Sequence, residues 1–123
     1  MSQNQSYLKI FVTQLQNFID DLILLYPADN DFKVFKNGVA LLNRTNPRKI
    51  VNLFKEYVDK YENRIISRDE TFFLQNDYNE IEKTENILES MNKLKNYWKD
   101  LNDSNKEKVW KYFEILIKLS KMV

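Results

Sequence analysis

The 123-residue sequence contains no histidine, no cysteine, one glycine and two prolines. Without histidine and cysteine, the chain lacks the commonest general base, the thiol nucleophile and the main zinc ligands. A single glycine cannot build the glycine-rich loop that cradles phosphates in nucleotide-binding sites. Because glycine and proline are the residues that interrupt helices, their scarcity predicts that most of the chain is helical. We therefore expect an all-α protein that is not an enzyme and uses no metal and no cofactor.

Hydrophobic residues make up 43% of the chain and charged residues 30%, a balance typical of globular proteins. At this length we expect one domain over residues 1–123, with residues 1–6 frayed. The longest apolar run, residues 22–26, is far shorter than the roughly 20 residues that span a bilayer. The absence of cysteine fits a reducing compartment. We expect a cytoplasmic protein with no membrane partner and no small-molecule substrate.

Apolar residues recur at three- and four-residue spacing, the period of an amphipathic helix. The first helix is predicted over about residues 7–26 and ends before Pro27. Its apolar stripe consists of Leu8, Phe11, Leu15, Phe18, Ile19, Leu22 and Leu25. The cluster Asp29-Asn30-Asp31 offers an N-cap for a second helix. Asn46 followed by Pro47 is a start signal for a third helix, which reaches residue 65.

The second half of the chain is predicted to contain two more long helices. Ser67 and Glu70 fit a capping box over a short helical turn, and a fourth helix follows over about residues 80–101. Ser104 and Glu107 form a second capping box that opens a helix over residues 105–121. The buried stripe of this last helix is predicted to contain Val109, Trp110, Phe113, Leu116, Ile117 and Leu119.

The charged residues are arranged in blocks along the chain. Residues 33–68 hold nine basic and three acidic side chains, whereas residues 69–90 hold seven acidic side chains and one basic one. All four arginines fall in the basic block, although the chain contains 15 lysines. The planar guanidinium suits phosphate and carboxylate groups. The candidates for binding an anionic partner, either nucleic-acid backbone or an acidic protein surface, are Arg44, Arg48, Lys49, Lys55, Lys60, Arg64 and Arg68. The alternative is a solvated face whose charges pair with the acidic block.

Two further features point to contact with a protein. Residues 69–78 are acidic and aromatic, and adjacent aromatic side chains on a loop are good interface anchors, although they can equally plug one end of a bundle. The helix over residues 105–121 is apolar around more than half of its circumference. Such a helix is either central to the fold or presents one face to a partner. The candidate interface residues are Phe72, Phe73, Trp110 and Tyr112.

Three stretches carry a resemblance: NPRKIVNLFKEYV at residues 46–58, DETFFL at 69–74 with Asp77-Tyr78, and WKYF at 110–113. Together they resemble a family of small uncharacterised helical proteins of large and giant DNA viruses, over most of the chain from about Phe11 onward. The resemblance implies a viral origin and a location in the host cytoplasm, a viral factory or the virion. These stretches have no known chemical role in the family, so the resemblance implies no site residue.

We expect the chain to fold as a compact bundle of four to six helices. The function that we favour is a non-enzymatic protein–protein interaction or assembly module, which binds another protein or copies of itself. The first alternative is a nucleic-acid-binding protein that uses the basic helix over residues 47–68. The second is a host-modulating helical protein with a groove for an amphipathic helix.

Overall fold

The computed structural model of the chain describes residues 3–59, 62–69 and 97–123. In this part of the chain the elements are α1 (Gln3–Leu25), α2 (Asn30–Thr45), α3 (Pro47–Asp59), α4 (Glu62–Ile66), a 3₁₀-helix (Trp98–Asp100) and α5 (Asp103–Met122). The described residues contain no β-strand, and the predicted all-α fold is confirmed. The predicted helix over residues 80–101 lies outside the described residues except for its last five positions.

The helices pack around one apolar core. α1 contacts α2, α3 and most extensively α5, while α5 also contacts α3 and α4. Aromatic pairs join the helices: Phe11 of α1 meets Phe54 of α3 edge-on at 5.2 Å. Phe18 of α1 meets Phe113 of α5 edge-on at 5.7 Å. The C-terminal half of α1 therefore lies beside the middle of α5.

The predicted start signals of α2 and α3 are confirmed. The carboxylate of Asp29 accepts a hydrogen bond from the backbone N–H of Asp31 at 3.0 Å and so caps α2. α3 begins at Pro47, a position where the missing N–H of proline costs the helix nothing. The carbonyl of Asn46 accepts from the backbone N–H of Lys49 at 3.1 Å, which closes the first turn.

The start of α5 differs from the prediction. The capping box of Ser104 and Glu107 does not form, because the side-chain oxygen of Asn102 accepts from the backbone N–H of Asn105 at 2.8 Å and caps the helix instead. Asparagine caps helices as well as serine does. The earlier start also brings Asp103 into the first turn, where the helix dipole favours a negative charge.

Two other boundaries also differ. α1 begins at Gln3, inside the segment predicted to fray, because none of its polar residues interrupts a helix. The sequence predicts one helix over residues 47–65. In the described residues this stretch contains two helices, α3, which ends at Asp59, and α4, which begins at Glu62. Residues 60 and 61 between them lie outside the described part, as does Glu70, the second half of the other predicted capping box.

α4 ends in a left-handed turn at Arg68, whose φ is 57°. The backbone N–H of Asp69 donates to the carbonyl of Arg64 at 2.8 Å, and the N–H of Arg68 donates to the carbonyl of Ile65 at 3.0 Å. This pair of hydrogen bonds is the Schellman motif, whose left-handed position is usually glycine. Here an arginine occupies that position, next to α5.

Candidate functional site

Six of the seven basic candidates lie among the described residues and fall into two groups, of which the first, Arg64 and Arg68, binds carboxylates of the chain itself. The Nε atom of Arg64 lies 3.4 Å from the carboxylate of Asp69. Arg68 forms ion pairs with Glu107 and Glu114 of α5, the second at 3.3 Å. The hydrogen bond from Arg68 lowers the pKa of Glu107, and the hydrogen bond to Glu107 raises the pKa of Arg68. Both arginines thus have carboxylate partners within the chain: the partner of Arg64 belongs to the acidic block of residues 69–90, as the predicted alternative has it, whereas the partners of Arg68 lie outside that block, on α5.

The second group lies at the corner between α2 and α3. Arg44 and Arg48 are exposed, and neither forms an ion pair with a carboxylate in the described ranges. Lys49 and Lys55, on α3, are half-buried. Lys60 lies outside the described residues. The basic surface that remains open to an anionic partner is therefore the corner rather than the length of the predicted helix 47–68.

The four aromatic candidates for a protein interface differ in their exposure and in whether they lie among the described residues. Trp110 is 4% exposed and packs edge-on against Trp98 at 5.2 Å, so it belongs to the core, and its side chain is not available to a partner. Phe72 and Phe73 lie outside the described residues. Tyr112 is half-buried and reaches the surface, where it lines a groove.

This groove lies between α1 and α5 and has a volume of about 140 Å³. Its wall on α1 is formed by Phe18, Asp21, Leu22, Leu24 and Leu25. Its wall on α5 is formed by Asn105, Lys108, Val109 and Tyr112. Most of these residues are three or four positions apart in each helix, which puts them on one helix face.

The volume of the groove limits what it can hold. An apolar cavity of about 150 Å³ accommodates one benzene molecule, whereas pockets for small-molecule ligands measure about 300–1,000 Å³. At about 140 Å³, the groove fits one large apolar side chain. It is too small for a nucleotide or a typical cofactor.

Tyr112 and Asp21 hold the two walls together. The ring of Tyr112 stacks on Phe18, with 4.9 Å between ring centroids and 10° between planes. Its hydroxyl donates to the carboxylate of Asp21 at 2.5 Å. Burial, followed by this hydrogen bond, raises the pKa of Tyr112 to about 12. A tyrosine hydroxyl is protonated at neutral pH with or without this shift, and here it donates its proton to Asp21, the carboxylate that lines the groove.

Two leucines at the end of α1 form an apolar rim. Leu24 is 79% exposed and Leu25 is 39% exposed. The prediction that Leu25 belongs to the buried stripe is wrong, because Leu25 is the last residue of α1 and lies beyond the core. The sequence did contain a signal for such a rim. Residues 22–25 are four consecutive apolar residues, and an amphipathic helix can bury only those on one side.

A wider and shallower depression lies at the turn between α1 and α2. It is bordered by Tyr26, Asp29 and Tyr97, and the hydroxyl of Tyr97 donates to Asp29 at 2.5 Å. We assign no role to it.

Comparison with known proteins leaves the function open. The chain matches no protein-family model, no curated protein and no solved structure. The resemblance to viral proteins, and the origin that it implies, therefore stay predictions. Among the described residues, no cluster of acidic side chains could hold a metal ion, and no helix has the length and apolar character needed to cross a membrane.

Proposed function

We propose that this chain is a protein-binding module whose groove between α1 and α5 receives one large apolar side chain from a segment of another protein. The observation that carries the proposal is the apolar groove with Leu24, 79% exposed, at its rim. Covering such a rim removes apolar surface from water, which contributes about 25 cal/mol for each Å². Binding interfaces often depend on one such anchor surrounded by weaker contacts.

The groove lacks the equipment of an active site. Its polar side chains are Asp21, Asn105, Lys108 and Tyr112, and two of these four, Asp21 and Tyr112, bind each other. This supports the non-enzymatic interaction module and brings it close to the alternative of a groove for a partner helix. A location in the cytoplasm, or in a viral factory or virion if the chain is viral, remains part of the proposal.

Selection from a random 16-residue peptide display library on the full chain tests this proposal, followed by affinity measurements on Leu24→Glu. We expect the enriched peptides to bind Leu24→Glu at least about tenfold more weakly, because docking would bury an unpaired carboxylate. The matched control is Val34→Glu, since Val34 is 62% exposed on α2 and does not line the groove. Its affinity should equal that of the wild type. Equal weakening of both variants, or no enrichment of peptides, would overturn the proposal.

The oligomeric state separates a foreign partner from a second copy of the chain. Because the proposed occupant is a segment of another protein, light scattering should give the mass of a monomer. A dimer that Leu24→Glu dissociates, and Val34→Glu does not, would make the second copy the occupant and overturn the assignment to another protein.

A second candidate function is nucleic-acid binding at the corner between α2 and α3. It is favoured by Arg44 and Arg48, which are exposed and meet no carboxylate among the residues that the structure describes. The ion pairs of Arg64 and Arg68 make those two side chains less suitable for phosphates.

Affinity for duplex and single-stranded DNA across a salt series tests this second candidate. Each phosphate contact contributes about 0.9 to the slope of log affinity against log salt for a duplex. The double variant Arg44→Ala, Arg48→Ala should reduce that slope by about 2, and the control Arg64→Ala, Arg68→Ala should leave it unchanged. Absent or salt-insensitive binding would exclude the candidate.

A further inference from the structure

We infer that the solvent side of α2 is a second docking site, which receives an acidic helix of a partner protein over Gly38. This site lies apart from the groove between α1 and α5, so the inference goes beyond the proposed function. It follows from three properties of α2: an exposed apolar pair, open space at the only glycine of the chain, and nearby arginines that no neighbouring carboxylate compensates.

Two large apolar side chains lie on the solvent side of α2. Val34 is 62% exposed and Leu41 is 56% exposed. They are seven residues apart, which places them on the same side of the helix, about 10 Å apart along its axis. The core side of α2 is already complete with Phe32, Phe35 and Val39. The exposed pair is therefore apolar surface that the packing of the described residues leaves uncovered.

Gly38 lies between these two side chains, four residues after Val34 and three before Leu41. A glycine inside a helix lowers its stability relative to alanine, and the fold gives no reason for it here. Its φ is not positive, and an added Cβ would meet no atom of the described residues within 4 Å. The missing side chain leaves a notch between two apolar neighbours. Glycine allows another backbone to approach closely, and a ridge of side chains on a crossing helix packs into such a space.

The charge around this notch is positive. Residues 32–55 hold six basic side chains and no acidic one. On the side of α2 toward α1, Lys36 forms a salt bridge with Asp20 at 2.7 Å. Arg44, one turn after Leu41, and Arg48, at the start of α3, are exposed and form no salt bridge within residues 3–59, 62–69 and 97–123.

The nearest carboxylates along α2 and α3 are distant from these two arginines. Asp31 precedes Arg44 by 13 residues of the same helix, about 20 Å along its axis. Glu56 follows Arg48 by eight residues, about 12 Å along α3. Both separations exceed the Debye length of about 8 Å at physiological salt, beyond which exposed charges are largely screened. α1, which packs against α2, has no acidic residue before Asp20. An acidic partner therefore complements this surface.

Other occupants satisfy only part of these observations. A second copy that docks through its own α2 would bring Arg44 of both copies to one interface, and like charges repel. A nucleic-acid backbone would pair with the arginines but would leave Val34 and Leu41 in water. An acidic helix covers the apolar pair, fills the notch at Gly38 and neutralises the arginines.

Selection of a display library of helical peptides on the full chain carrying Leu24→Glu tests this inference. The variant closes the groove to apolar anchors, so that the two docking sites are examined separately. We expect the enriched helices to contain more glutamate and aspartate than the starting library.

A second substitution then fills the notch. Adding Gly38→Leu should weaken the binding of the enriched helices by about tenfold or more, because the leucine occupies the space of the crossing helix. The melting temperature should not fall, since a Cβ at this position meets no described atom. The matched control is Asn63→Leu, which adds the same side chain at an exposed position of α4. It should bind the helices within about twofold of the parent chain.

A pair of charge variants tests the acidic chemistry. Arg44→Ala with Arg48→Ala should weaken the enriched helices by about tenfold or more. The control Lys111→Ala with Lys118→Ala removes the same charge from exposed positions of α5 and should leave the affinity within about twofold.

The possible failures of the two proposals are distinguishable. Unchanged binding to Gly38→Leu would overturn docking over the notch, and enriched helices without an excess of acidic residues would overturn the assignment of an acidic partner. Absence of enriched helices would overturn the inference as a whole. None of these results concerns the groove, which is tested on the wild type through Leu24. Binding of duplex DNA or of anionic phospholipid vesicles that Gly38→Leu abolishes, with no helix enriched, would make a phosphate-bearing surface the occupant and overturn the assignment to a protein helix.

Discussion

The two polar sides of α5 differ in how their charges are used. On the side toward α4, Glu107 and Glu114 meet Arg68, and Lys121 meets Glu62. Lys108, Lys111 and Lys118 are exposed and form no salt bridge in the described part of the chain, although Lys111 is close enough to Glu107 to contribute to the lowering of its pKa. The formal net charge of the whole chain is only +1. Within this nearly neutral protein, some charged side chains of α5 therefore join the helix to α4, while other charged side chains of α5 stay in solvent.

The same contrast applies to the hydrophobic contacts of α5. Phe113 is 1% exposed and packs against Phe18 of α1, whereas Leu24 at the rim of the groove is 79% exposed. The contact of Phe113 with Phe18 is buried in the core. Leu24, at the rim of the groove, instead exposes its apolar side chain to water. The core contact supports the fold, and the rim is available for binding.

The largest effect is expected from Phe113→Ala. Removing a fully buried aromatic side chain typically costs about 3–5 kcal/mol of unfolding free energy. Leu24→Ala should change that free energy by less than about 0.5 kcal/mol, as exposed substitutions usually do. Urea denaturation of both variants measures the difference. Similar losses of unfolding free energy in the two variants would show that Leu24 belongs to the core, and would contradict the distinction between core and rim.

A smaller effect is expected from Tyr112→Phe, which removes the hydrogen bond to Asp21 and keeps the ring. One such bond contributes about 1 kcal/mol to stability. Because the pKa of Tyr112 is raised to about 12 in the folded protein, its contribution is complete below the usual tyrosine range near pH 10 and is lost as the pH rises through about 12. Burial also raises the pKa of Tyr26, so absorbance titration of the wild type should show late ionisation of more than one tyrosine, and Tyr112→Phe should reduce its amplitude by one tyrosine. An unchanged amplitude of late ionisation in the variant would contradict the assignment to Tyr112.

The smallest effect is expected from Arg68→Ala, because exposed ion pairs contribute little to stability. Arg68 lowers the pKa of Glu107, so this contribution is present above the usual glutamate range and is lost as the pH falls through the lowered pKa. Arg68→Ala should therefore flatten the dependence of thermal stability on acid pH.

The backbone at Arg68 offers a matched control. Because its φ is 57°, Arg68→Gly should exceed Arg68→Ala in stability by about 1 kcal/mol, although both lose the ion pairs. Equal stability of the two variants would contradict the left-handed turn.

The features that the sequence predicted are those that depend on neighbouring residues. The cap at Asp29 and the start at Pro47 involve residues within three positions of each other. The buried stripe of α1 follows from helical spacing up to Leu22. At the N-terminus of α5, two adequate caps compete, and the choice of Asn102 over Ser104 could not be made from residue types alone.

The candidate site depends on contacts between distant parts of the chain. The hydrogen bond from Tyr112 to Asp21 joins residues 91 positions apart, and the ion pair of Arg68 with Glu107 joins residues 39 positions apart. Spacing within a helix indicates which residues share a face, but not which helix that face meets. The apolar helix singled out Tyr112 as a candidate interface residue, an assignment that stays a prediction, whereas the residues of α1 that line the groove with Tyr112 could not be identified without the fold.

The central claim, that the groove between α1 and α5 binds a protein segment, is tested most directly by mapping the binding site of an enriched peptide. Amide chemical shifts of the ¹⁵N-labelled full chain report where the peptide binds. The changes should concentrate in residues 18–25 and 105–112, which line the groove. Changes concentrated around residues 44–49, at the corner between α2 and α3, with none at the groove, would contradict the claim.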